Sequence, residues 1–223
     1  RPFFDTANDF GRLKVHVTDR TDFDVNEETF VGTEGLRALN AAGQGTLTVA
    51  RGTLNVAERS FTAQFVLAGS SVPGNGSDAV KGSVISRSGN DLIVRGGTVI
   101  LTNSDRAFFR DDVTVTVGPD TAVYKSFMTD RPLGMPVRRL GIEAISVGQA
   151  VTIRGMVTAD DEAGVHIDAT QGTVAMHLTH LSGIVNSVMT GQTDIELHAI
   201  DRRRVEVFDF TGTGVSPATD ADP

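Results

Sequence analysis

Apolar and polar residues alternate along most of this chain, and a period of two restricts it to β structure. The alternation is plain in Leu13-Lys14-Val15-His16-Val17, Val113-Thr114-Val115-Thr116-Val117, Val151-Thr152-Ile153-Arg154, Val165-His166-Ile167-Asp168 and Val205-Glu206-Val207. Successive side chains of an extended strand point to opposite faces, so each run carries one apolar and one wet face. Val, Ile and Thr pack well on such a pleated surface. Polar turn signals separate the runs at Asn55 to Glu58, at Ser88-Gly89-Asn90 and at Asp160-Asp161-Glu162-Ala163-Gly164. The fold class is all-β.

The runs also repeat. Arg51-Gly52-Thr53-Leu54, a polar turn and Ser60-Phe61-Thr62-Ala63 resemble Arg154-Gly155-Met156-Val157, a polar turn and Val165 to Ala169. A Gly-Gln pair precedes each, Gly43-Gln44 and Gly148-Gln149. Val15 to Val25 lines up with Val115 to Lys125, and Arg1-Pro2-Phe3-Phe4 has an echo in Arg106-Ala107-Phe108-Phe109. Lys81-Gly82-Ser83-Val84-Ile85-Ser86 returns as Ser182-Gly183-Ile184-Val185-Asn186-Ser187. Matches at nearly one spacing indicate a supersecondary unit written more than once.

This spacing divides the chain into an N-terminally incomplete module over 1–72, a complete module over 79–182 and the opening of a third over 183–223. The complete module reads as strands at 80–87, 91–101, 113–125 (with a break at Gly118-Pro119), 150–158 and 164–169, and a further run at 173–181 leads into the next module. Thr33 to Asn40 suits one or two helical turns, with Thr33 as cap, and Val137 to Ile145 is its weaker counterpart. Three strands, a short helix and two more strands is the order of an oligonucleotide/oligosaccharide-binding (OB) type barrel, in which closure hides strand edges. A β-sandwich is the runner-up. Pro73-Gly74-Asn75-Gly76-Ser77-Asp78 reads as a flexible linker, whereas Met176 to Leu181 runs on without a break. One joint is expected to be loose and the other stiff.

Composition narrows the functions. Aromatic residues are 6% and Trp is absent, so small aliphatic side chains must build the core. The formal charge of −8 works against nucleic acid and anionic membranes as partners. The basic clusters Arg202-Arg203-Arg204 and Arg138-Arg139 are short and read as solvated turns. No Cys is present, which excludes disulfides and thiolate metal sites. No apolar run approaches the roughly 18 residues that span a bilayer. The N-terminus shows no signal pattern and no initiating Met, so further upstream sequence is expected, with a lipid anchor as one form of it.

Each sharper motif has a blander reading. His177-x-x-His180 falls on an expected strand, where that spacing puts the rings on opposite faces and away from one shared ion. Asp22-Phe23-Asp24-Val25-Asn26 has the oxygen spacing of a calcium loop, but Glu27 stands where Gly is needed and Thr33 where a bidentate Glu is needed. It reads as surface acid. Asp5-Thr6-Ala7 and Asp120-Thr121-Ala122 resemble the loop of aspartic proteases, yet Gly118-Pro119 replaces the apolar strand that should lead into Asp120. Both fit Asp turn chemistry. Gly69-Ser70-Ser71 and Gly76-Ser77 lie in linker-like sequence without a nucleophile elbow, and Gly74-Asn75-Gly76 lacks what a phosphate loop requires. No catalytic, cofactor-binding or metal-binding residue is assigned, no cofactor is expected, and the chain reads as a non-enzyme.

The run Gly82-x-Val84, the Asp120-Thr121 turn, Val147-Gly148-Gln149-x-Val151-x-Ile153-x-Gly155 and the closing Ile167-Asp168-Ala169 resemble a bacterial domain family of unknown function. That family occurs as tandem copies in exported proteins and lipoproteins. The resemblance implies an extracytoplasmic β-module (periplasm, outer-membrane surface or exterior) and brings no catalytic residues. The expected function is a structural or interaction protein whose partners are other protein chains or copies of itself. The alternative is a carbohydrate- or peptide-binding module, for which Tyr124, Phe108, Phe109 and Phe127 are the available rings.

Overall fold

The alternating runs pair into three sheets in a computed structural model of the chain, which describes residues 14–58, 60–102, 107–125, 139–162 and 164–211. The described residues form two units divided between Gly76 and Ser77.

The first unit holds β1 (Lys14–His16), β2 (Asp22–Val25), β3 (Glu28–Val31), α1 (Thr33–Ala42), β4 (Thr48–Asn55) and β5 (Ser60–Ala68). β5 is its axis. β1 and β2 run parallel to successive stretches of β5, and β4 runs antiparallel along the opposite edge. β2 and β3 form a hairpin across Asn26 and Glu27, both with positive φ (51° and 68°). That turn matches the twist of paired strands, and it normally selects Asn and Gly. Glu27 tolerates it here with its N–H donated to Ser71 Oγ at 2.7 Å. Phe23, Val25, Ala63, Val66 and Ala68 form the core, with Phe30 and Leu39 packed against it. α1 lies close on β2 because Gly35 has no Cβ; one built there would fall 2.1 Å from the Phe23 ring. The helix is longer than the expected one or two turns, and its caps are Gly32 and Gly43 instead of Thr33 and Asn40.

The second unit contains β6 (Asp78–Ser88), β7 (Asp91–Ile100), β8 (Ala107–Thr116), β9 (Ala122–Lys125), β10 (Ala150–Asp161) and β11 (Gly164–Met176). β6, β7 and β8 form an antiparallel meander. β8 then pairs parallel with β11, β11 antiparallel with β10, and β10 antiparallel with β6. The circuit closes into a five-stranded barrel with the strand connections of an OB fold. β9 carries the line of β8 onward past the break at Gly118-Pro119 and pairs with the later part of β11. The interior is aliphatic, with Val80, Val84, Leu92, Val94, Val115, Ile153 and Ile167 among the fully buried side chains. A 3₁₀ turn at Ile142–Ala144 stands in the helical connection, and Arg87 ties it down by donating to the carbonyls of Ile142 (2.9 Å) and Ile145 (2.6 Å).

Two expected boundaries move. β11 runs unbroken to Met176, so the separate strands at 164–169 and 173–181 are one. An irregular register near Asp168 to Thr173 had split the apolar pattern. Asp78 belongs to β6 and not to a linker, and its carboxylate accepts the N–H groups of Thr102 and Val157, each at 2.7 Å. Val137, the start of the weaker helical stretch, lies outside the described residues.

β12 (Leu181–Met189), β13 (Gln192–Ile200) and β14 (Arg203–Arg204) form the third sheet, which belongs to the second unit. It packs on the outside of the barrel. Ile200 and Phe208 share a small core with Ile85, backed by Ile93 and Val147. Arg203 and Asp201 both bond Ser83 Oγ at 3.2 Å.

Candidate interaction surface

The β12–β13 hairpin copies the β6–β7 hairpin in register as well as in sequence. The pairs Val80↔Val99, Val84↔Val94 and Ser86↔Ile93 recur as Leu181↔Ile200, Val185↔Ile195 and Ser187↔Asp194. Both hairpins break register after the Val, between Val84 and Ser86 and between Val185 and Ser187. Gly82 and Gly183 occupy matching sites: a Cβ on either would strike the carbonyl oxygen opposite, that of Arg95 at 2.6 Å or that of Glu196 at 2.2 Å. Only glycine permits such approach without moving the strand.

What differs is the cover. In the barrel Val80, Val84 and Val94 are fully buried, whereas Leu181, Val185 and Ile195 are 60%, 56% and 44% exposed. Ile184, Val188 and Met189 add further exposed apolar side chains on β12. These exposed apolar side chains are gathered on one hairpin and not scattered, with Ile184 and Val185 on opposite faces of β12.

The first unit shows the reverse correspondence. β1, β2, β4 and β5 match β8, β9, β10 and β11. Val15↔Phe61 repeats as Val115↔Ile167, and Asp22↔Phe65 as Ala122↔Thr173. The repeated Arg-Gly step is a register shift in both units, with Cβ atoms at Gly52 and Gly155 blocked by the carbonyl oxygens of Thr62 (1.9 Å) and Asp168 (2.2 Å). Thr21 and Thr121 each accept a backbone N–H three residues back and donate across to a strand carbonyl. In β4, however, Ala50 is half-buried where Ile153 of β10 is fully buried.

The motifs weighed from the sequence lie elsewhere and do not converge. His177 and His180 sit between β11 and β12 and not on a strand; His177 Nε2 bonds Thr152 Oγ1 at 2.7 Å, and His180 bonds Asp201. Among the described residues no cluster of three His, Asp or Glu is placed to hold a metal ion. Asp24 is buried, not surface acid, and accepts a hydrogen bond from Ser71, so Gly69-Ser70-Ser71 is a packed 3₁₀ turn and not a linker. Asp120 lies in an exposed turn and accepts from Gln171 Nε2 at 3.1 Å. Arg202 lies in the tight β13–β14 turn with φ 65°, and Arg204 pairs with Glu206 at 3.4 Å. Tyr124 is buried with its hydroxyl accepting from Arg154, so it offers no platform to a sugar. Phe108 is partly buried under the Arg110 guanidinium, 4.7 Å from the ring centre, whereas Phe109 is 61% exposed. Arg1 to Phe4, Asp5-Thr6-Ala7, Arg106, Phe127 and Arg138 lie outside the described residues.

Charge on the barrel wall is locally paired. Arg95 meets Asp112 through two bonds of 2.7 Å, and this contact raises the guanidinium pKa further. Asp168 and Asp209 are each held below the usual carboxylate range by a threonine two residues on, Thr170 and Thr211, which donates both its N–H and its hydroxyl. These are turn-building contacts. Sequence reasoning passed over the hairpin face because its alternation resembles that of any half-buried strand; the offset match to a buried hairpin was the available signal.

Among the described residues no helix is long and apolar enough to cross a membrane, which says nothing of strands. No protein-family model matches the chain, and no curated protein or solved structure matches it.

Proposed function

We propose that this chain is a non-enzymatic structural or interaction protein of the cell envelope or exterior, built from repeated barrel modules and working through contacts with other protein chains. The observation that carries the reading is the recurrence of one barrel unit along the chain, with β12–β13 repeating β6–β7 and β1, β4 and β5 repeating β8, β10 and β11. Water-exposed Leu181, Val185 and Ile195 cost stability unless something covers them, and burial is worth about 25 cal/mol per Å² of apolar surface. Strand addition at an open edge supplies affinity through main-chain bonds and specificity through alternate side chains. The placement at the envelope, with an upstream lipid anchor as one form of attachment, rests on the resemblance of the Gly82-x-Val84 and Gly148-Gln149 motifs to exported tandem modules.

A second reading, a carbohydrate- or peptide-binding module, is favoured by one observation, the exposed ring of Phe109 on β8. Thermal unfolding against a panel of oligosaccharides, together with a glycan array, separates the two. The interaction reading expects no saturable stabilisation by any sugar. Saturable stabilisation that is lost in Phe109→Ala would overturn it.

A further inference from the structure

We propose that Asn75 is a site of spontaneous covalent modification, where the backbone nitrogen of Gly76 attacks the Asn75 side-chain amide and converts it to aspartate and isoaspartate.

Asn75-Gly76 is the one Asn-Gly step in the sequence. Every other asparagine precedes a residue with a side chain, which crowds the nitrogen that must attack. Glycine leaves that nitrogen open and lets the chain bend as ring closure requires. Gly76 already holds a φ of 101°, and Gly74 on the other side holds 82°. The step lies between the 3₁₀ turn at Gly69–Ser71 and β6, outside any strand or helix, with Asn75 half-buried and Gly76 exposed. Asn40, Asn55 and Asn186 are by contrast fixed in α1, β4 and β12. Asn75 Nδ2 donates to the Gly69 carbonyl at 2.8 Å. Attack needs this bond to open, so local opening of the turn sets the pace.

Water is the only co-reactant. The Gly76 nitrogen gives its proton to hydroxide and bonds to Asn75 Cγ. The Cγ–Nδ2 bond breaks, and the departing nitrogen takes a proton from water and leaves as ammonia. The cyclic imide then takes up one water at either carbonyl. Opening at Cγ gives aspartate at position 75, and opening at the main-chain carbonyl gives isoaspartate, with the backbone routed through the side chain. Nothing is oxidised or reduced, and one negative charge is gained.

The product cannot keep the native contact. A carboxylate only accepts hydrogen bonds, so it sets a charged oxygen against the Gly69 carbonyl in place of a donor. The turn that loses this tie anchors the β2–β3 hairpin. The Ser70 N–H donates to Asn26 Oδ1 at 3.2 Å, and Ser71 Oγ donates to Asp24 and accepts the Glu27 N–H at 2.7 Å. Conversion at Asn75 therefore loosens a hairpin turn 49 positions earlier in the chain, at Asn26.

The full chain is aged at neutral and at mildly alkaline pH, digested and read by mass spectrometry, with isoaspartate marked by an isoaspartyl methyltransferase. The expected result is loss of the amide at Asn75 to both acids, faster at the higher pH, with ammonia released in equal amount. The peptides that carry Asn55 and Asn186 should keep their amides. Asn75→Gln, whose longer side chain closes a ring poorly, should lose the reaction. Asn75→Asp copies one product in fresh protein and should speed amide exchange at Val72 and Glu27. An Asn75 still fully amidated in the folded chain when the urea-unfolded chain has converted overturns the proposal, and so does equal conversion at Asn186. Unchanged exchange at Val72 and Glu27 in Asn75→Asp overturns the effect on the hairpin turn.

Discussion

Val15 is 48% exposed at the position where Val115 is fully buried, although both pair in the same parallel register with the equivalent strand position, Phe61 in one unit and Ile167 in the other. In the barrel β7 lies across Val115, paired through Leu92. The unequal burial yields an unequal mutational cost. Val115→Ala should destabilise the second unit by about 2 kcal/mol through lost transfer energy and a residual cavity. Val15→Ala should cost less than about 0.5 kcal/mol in dilute solution, as surface substitutions do. Urea unfolding of the two variants at low concentration checks the contrast.

The turn threonines should behave alike. Thr21 and Thr121 Oγ1 each sit 2.8 Å from a donor N–H, of Thr18 or Gly118, and 2.8 Å from an acceptor carbonyl, of Ala63 or Ala169. Thr→Val at either site keeps the shape and strands both backbone groups, at about 1–3 kcal/mol each. Amide exchange at Thr18 and Gly118 should accelerate in the respective variant, and unchanged exchange would count against the bond.

Asp78 should be costly to remove. Its two oxygens accept from Thr102 and Val157 at the start of β6, so Asp78→Ala leaves two backbone donors without their acceptor. A loss of about 2–4 kcal/mol is expected, read by thermal unfolding.

Acid should loosen two turns before it unfolds the barrel. Asp168 is held low first by the Thr170 N–H and then by its hydroxyl, and Asp209 first by the Thr211 hydroxyl and then by its N–H. A folded-state pKa below the unfolded value contributes stability that is present above the unfolded pKa and lost as pH falls through the folded one. Carboxyl NMR titration should place both midpoints below the roughly 3.9 of a free Asp. The Thr170 and Thr211 amide signals should move with them.

The two joints should differ in mobility. Pro73 to Ser77 is Gly-rich, whereas the third sheet is tied to the barrel through Ile85, Ile200 and Phe208 and through Ser83 with Arg203. Backbone ¹⁵N relaxation should show fast motion at Gly74 to Ser77 and order parameters near the rigid value of about 0.85 at His180 and Asp201. Equal mobility at both would contradict this.

The all-β class and the barrel order were legible because alternation and the recurrence of Arg51-Gly52 at Arg154-Gly155 are local signals, and the glycines are required by carbonyls that a Cβ would strike. The turns at Asn55 to Glu58 and at Gly89-Asn90 were legible for the same reason. Asn26-Glu27 was not, because a positive φ at Glu27 depends on Ser71, 44 positions on. Asp24 misled by its charge and Asp78 by the Gly-rich stretch before it, since neither signal shows the distant group that pairs with the carboxylate. The open hairpin was legible as a repeat and illegible as a surface, because what covers a strand lies elsewhere in the chain or beyond it.

Cross-strand NOEs on the monomeric chain test the repeat most directly. Val84 with Val94 and Val185 with Ile195 should give the same close backbone contacts, with solvent-protected amides around the first pair and rapidly exchanging side-chain environments around the second. A β12–β13 pairing slipped by one residue, or an Ile195 side chain buried within its own monomer, would contradict the account.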